Sequence, residues 1–102
     1  MHAQHKANAW QLHGNSMAPG STVLYEVDSQ LRVGLVEVLI EIAGLYMVVC
    51  AQYAADLVDS GLFKALTSQE IQGKVILEMH TNKITTVHQH VIGNNCYIVP
   101  FK

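Results

Sequence analysis

Leu31-Arg32-Val33-Gly34-Leu35-Val36-Glu37-Val38-Leu39-Ile40-Glu41-Ile42-Ala43 is the stretch on which the fold turns. Read as a strand, it places Val36, Val38, Ile40 and Ile42 on one face and Glu37, Leu39 and Glu41 on the other. Read as a helix, it lines Gln30, Gly34, Glu37 and Glu41 along one polar stripe. Both templates match. The density of β-branched residues and the mid-segment Gly34 favour strands. Ala43-Gly44 then turns the chain into a second strand, Leu45–Ala51.

N-terminal to this stretch, residues 1–8 are polar and read as a flexible tail, with residues 9–102 as a single domain. Ala9–His13 fits a short strand. The turn-rich run from Gly14 to Gly20 follows it, and then a strand over Ser21–Val27 closed by Asp28-Ser29. C-terminal to it, Tyr53–Leu66 has helical spacing. Ala54, Leu57, Val58, Leu62, Ala65 and Leu66 form the apolar stripe, weakened at Gly61. Thr67-Ser68-Gln69-Glu70 has capping-box spacing and predicts one more helical turn, stopped by Gly73. Lys74–His80, Ile84–Ile92 and Cys96–Phe101 read as a three-stranded meander with three-residue loops. That register collects Val75, Leu77, Met79, Val87, Val91, Tyr97, Val99 and Phe101 on a core face. The opposite face carries Lys74, Glu78, His80, Thr86, His88 and His90, with Ile76, Ile84, Ile92 and Ile98 among them. The expected fold is therefore α+β, an antiparallel sheet of five or six strands with one main helix packed on one face.

Half of the 102 residues are apolar and 14% are charged. The usual charged share is about 25%. A chain this short buries only about two-thirds of the surface its unfolded form exposes, so a partner subunit is the natural cover for the remainder. With six basic against eight acidic residues the formal net charge is −2, which gives no electrostatic footing for nucleic acid. The uncharged run Ile42–Ala55 is shorter than the roughly 20 residues a spanning helix needs, and the N-terminus shows no apolar signal run. A soluble cytoplasmic protein is expected, without a cofactor. Cys50 and Cys96 read as free thiols packed as small hydrophobes.

Two sets of residues could carry a site. His88-Gln89-His90 puts two imidazoles on one strand face, roughly 7 Å apart, with Glu78 diagonal to His88 in the meander register. Two histidines and a carboxylate form an open divalent-metal site. Trp10, Tyr25, Tyr46, Tyr53 and Tyr97 combine apolar area with a polar tip, as residues lining a ligand pocket or an interface do.

Gly14-Asn15-Ser16-Met17-Ala18-Pro19 resembles the Gly-Asp-Ser-Met-x-Pro box of the serine–lysine peptidases, the group of the self-cleaving SOS repressors and the signal peptidases. Ala9–His13 looks like the strand leading into that box, and Val33–Val38 is loosely similar to the strand after it. The resemblance implies Ser16 as nucleophile and a buried neutral lysine as its base. The box aspartate is Asn15 here, and residues 45–56, where the lysine belongs, contain none. Lys64 is the substitute candidate. The resemblance so departs from its own pattern that it implies a peptidase-like domain without activity.

Taken together, the sequence predicts a small homo-oligomeric binding or interaction protein without catalysis. Its apolar, tyrosine-bearing pocket or groove would take a small ligand or a protein partner.

Overall fold

The structure, a computed structural model, describes residues 4–12 and 15–100. Among these residues there is no helix, and none therefore long and apolar enough to cross a membrane. The expected α+β fold with a main helix is corrected to an all-β one. The described residues form eleven strands: β1 (Gln4–Ala7), β2 (Trp10–Leu12), β3 (Asn15–Met17), β4 (Thr22–Val27), β5 (Gln30–Ile42), β6 (Leu45–Tyr53), β7 (Leu57–Ser60), β8 (Phe63–Leu66), β9 (Ile71–Glu78), β10 (Thr85–Ile92) and β11 (Asn95–Pro100). Nine of them form one antiparallel sheet in the order β7-β8-β11-β10-β4-β5-β6-β9, with β1 added against β5. β2 and β3 pair separately as a hairpin, so the turn-rich run holds a strand. In the segment read as a flexible tail, Gln4–Ala7 pair with Leu39–Ile42. Phe101, expected in the last strand, lies outside the described residues.

The strand reading of residues 31–51 holds. Asp28-Ser29 and Ala43-Gly44 make the two tight turns of a β4-β5-β6 meander. All four residues have positive φ (51°, 67°, 52° and 80°), as primed hairpin turns require. The expected faces of β5 do not hold. Val36 pairs with Cys50 and Val38 with Val49, so Glu37 is an extra, bulged residue. The bulge shifts the alternation by one. Val36 and Leu39 both enter the core, while Val38, Ile40 and Ile42 are only half-buried. Glu37 points out and meets Lys74 Nζ at 2.9 Å.

The predicted helix over Tyr53–Leu66 is instead a hairpin, β7 and β8, turning at Gly61-Leu62. Gly61 adopts φ 75°, which a helix interior does not allow. β8 pairs with β11, and this buries Ala65 and Leu66. Val58 and Leu62 of the supposed helical stripe stay exposed, Leu62 at 93%. The capping-box run also forms no helix. Ser68 Oγ accepts from Glu70 N at 3.1 Å, a local turn that leads straight into β9.

The C-terminal meander is half right. β10 and β11 form a hairpin, but its loop has two residues, Gly93-Asn94, so Ile92 faces Asn95 and Val91 faces Cys96. This one-residue slip turns β11 over and puts Cys96 and Ile98 inside, while Val91, opposite Cys96, stays exposed toward the end of its strand. β9 and β10 do not pair at all: β9 lies against β6, and β10 against β4.

Asn82, read only as a turn residue, makes that crossover possible. Its N–H donates to Glu78 O (3.1 Å), and its carbonyl accepts from Glu26 N (2.9 Å). Its side-chain Oδ1 accepts from Glu78 N (3.0 Å), and Nδ2 donates to Glu26 O (2.8 Å). One residue thus takes the place of a strand between β9 and β4, and curls β4-β5-β6-β9 around the main core. Lys83 reinforces the joint through Glu26 at 3.3 Å.

That core holds Met17, Val23, Tyr25, Val36, Leu39, Val48, Cys50, Leu77, Met79 and Ile84. The Tyr25 hydroxyl donates to Gln52 Oε1 at 2.9 Å. Gly34 keeps this contact uncrowded, because a Cβ there would stand 3.0 Å from Ala51 O and 3.3 Å from the Tyr25 ring. A second core under β8-β11-β10 holds Val33, Tyr53, Leu66, Val87, Cys96 and Ile98.

Burial pushes the Cys50 thiol from an ordinary 9.0 up to about 12, with the charge of Glu37 adding to the effect. Burial raises the Tyr25 phenol as well. A raised acid keeps its proton in the folded state after the unfolded chain has lost it. The stability Cys50 contributes is therefore complete below 9.0 and falls away as pH rises from there toward about 12. Urea unfolding at alkaline pH is expected to show this decline, and Cys50→Ala is expected to make it shallower, with the part due to Tyr25 remaining.

Candidate functional site

The register sorts β7, β8, β11 and β10 into two faces, since residues directly opposite one another share a side. Leu57, Leu66, Cys96 and Val91 form one rung, directed toward the second core. Val58, Ala65, Tyr97 and His90 form a rung on the opposite, outer face. His88 with Val99, and Ile92 with Asn95, extend that outer face, with Phe63 next to Ala65 along the strand. Ile92 is 66% exposed, and Val58 and Phe63 are also exposed. Phe63, His90, Ile92, Tyr97 and Val99 enclose an open groove of about 440 Å³. The Tyr97 hydroxyl accepts from Asn95 Nδ2 at 3.3 Å at its rim. The His88 and His90 rings lie 6.0 Å apart, centroid to centroid, tilted by 55°.

Gln89, between the histidines, points the other way. Its Nε2 donates to Tyr53 Oη (2.8 Å) and Thr22 Oγ1 (3.0 Å). Its Oε1 accepts from Gln69 Nε2 (3.0 Å) and Cys96 Sγ (3.2 Å). Burial raises the Cys96 thiol, and the Gln69 amide partly opposes this. Four partners on one amide fix the strand from inside and hold both imidazoles outward. Sequence reading missed Gln89. The available signal was a polar residue at an inward position of a strand.

The other sequence candidates are dispersed. Trp10 and Tyr46 meet edge to face at 5.1 Å and 85°, packed against the main core. Tyr25 lies inside that core and Tyr53 inside the second, so of the five aromatics only Tyr97 lines the groove. Ser16 sits on β3, where its carbonyl accepts from Thr86 Oγ1 at 3.1 Å, and it lines a cavity of about 370 Å³ with Ser21, Thr22 and His88. Lys64 lines a different cavity, with Gln30 and Asp56, and its ammonium donates to Asp59 at 2.8 Å. The two are not brought together, and Gly14 of the peptidase-like box lies outside the described residues.

Glu78 is not beside the histidines. Its carboxylate accepts from His80 N and Thr81 N, both at 3.0 Å, and these bonds hold it below its ordinary value. It belongs to the β9 turn, away from β10 in the sheet order. The expected set of His88, His90 and Glu78 is thus corrected, because β9 and β10 are not neighbours. Among the described residues no three His, Cys, Asp or Glu side chains are grouped to hold a metal.

No family model, curated protein or solved structure matches this chain.

Proposed function

We propose that this chain is a small homo-oligomeric binding protein, without catalysis of its own, that works through the outer face of β8, β11 and β10. The observation that carries this reading is the exposed apolar groove of Phe63, Ile92, Tyr97 and Val99 on a paired, rigid sheet. Monomeric proteins keep contiguous apolar patches small, and larger ones mark contact sites. Tyr97 supplies area and a polar tip, as interface anchors do. A second copy or an apolar ligand of modest size fits a groove of this volume. The separation of Ser16 from Lys64 favours binding over peptidase chemistry. Two buried free thiols, Cys50 and Cys96, support a reducing, cytoplasmic setting.

Ile92→Lys tests the reading at an exposed position where the fold tolerates a charge. Size-exclusion chromatography with light scattering is expected to show an assembled wild type and a smaller, still folded variant. An unchanged mass in the variant contradicts the assignment of this face.

A further inference from the structure

We propose that His88 and His90 form half of a zinc site, which a second copy of this chain completes with the same two residues. This rests on the homo-oligomer reading above and adds its chemistry.

Zinc is held tetrahedrally by four ligands, with imidazole nitrogens about 2.0–2.1 Å from the metal. Two imidazoles on one such ion have ring centroids about 5 Å apart, once the ring radius is added to that bond. The observed 6.0 Å is about 1 Å from that spacing, a difference that a change of side-chain torsion covers. The i, i+2 spacing on β10 directs both rings outward, and the Gln89 network holds the strand that carries them. Among the described residues no third His, Cys, Asp or Glu is grouped with the pair. Among the described residues the site is therefore incomplete within one molecule. A two-fold axis through this face supplies two more imidazoles and no unlike group. The flanking Ile92, Tyr97 and Val99 then close over the ion and exclude water, which strengthens coordination.

The test uses the full chain stripped of metal with EDTA, titrated with zinc chloride, and followed by sedimentation velocity and calorimetry. One zinc is expected per two chains. The association constant is expected to rise roughly a hundredfold when free zinc is a hundred times its dissociation constant. The double variant His88→Ala/His90→Ala, checked for fold by circular dichroism, is expected to lose this zinc-dependent step while His2, His5, His13 and His80 remain. An unchanged zinc response in that variant overturns the proposal, as does a stoichiometry of one zinc per chain without a change in mass. Assembly that is equal with and without zinc overturns the metal site and leaves the homo-oligomer reading standing. A monomer under both conditions overturns both.

Discussion

Leu39→Ala is expected to destabilise the fold by about 2–5 kcal/mol, the cost of emptying a large buried aliphatic site. Val38→Ala, one residue away, is expected to cost about 1 kcal/mol or less. The difference comes from the bulge at Glu37. Without it Leu39 would share the outer face with Glu37 and Glu41. With it Leu39 is fully buried among Val36, Val48 and Leu77. Urea unfolding of the two variants decides the matter. A larger loss for Val38→Ala than for Leu39→Ala contradicts the bulged register.

Asn82→Ala is expected to cost about 1–3 kcal/mol, because it leaves the Glu26 carbonyl and the Glu78 N–H without their partners in a part-buried joint. In a chain of this size that is a fall in melting temperature of about 4–8 °C per kcal/mol. Asn82→Asp is expected to be worse at neutral pH. The carboxylate can still accept from Glu78 N, but it faces the Glu26 carbonyl with no proton to offer, between the charges of Glu26 and Glu78. Protonating the introduced carboxylate restores a donor, so the gap between the Asn82→Asp variant and the wild type should narrow as pH falls below about 4. Calorimetry at neutral and acid pH reads both effects. A neutral outcome for both substitutions means that Asn82 does not join β9 to β4.

Local signals in the sequence carried the hairpins. Asp28-Ser29, Ala43-Gly44 and Gly93-Asn94 stand between runs of β-branched residues, and each marks a real turn. What could not be read there is long-range. A bulge is one surplus residue relative to a partner strand, so nothing within Leu31–Ala43 declares Glu37. Tyr53–Leu66 has true helical spacing, but it gains more by pairing with β11, whose edge supplies hydrogen bonds and a core for Leu66 and Ala65. Adjacent strands in sequence are adjacent in space often enough that β9-β10 pairing was the natural expectation. Asn82 defeats it with four hydrogen bonds to residues as distant as Glu26. The outer face was legible in part. His88, His90 and Ile92 were placed together on a half-polar surface needing cover, and they are together. Glu78 and Ile76 are expected there through the unrealised β9-β10 pairing, Ile84 through alternation along its strand, and Ile98 through a three-residue loop; instead Ile84 and Ile98 enter the cores and Ile76 lies exposed on β9.

Self-association through the outer face is the claim from which the rest follows, and sedimentation equilibrium of the unmodified chain, from micromolar to submillimolar concentration, addresses it most directly. The expected mass is a whole multiple of the single chain and falls toward one chain only on dilution. A mass of one chain across the whole range, with the groove of Phe63, Ile92 and Tyr97 left open to water, contradicts it.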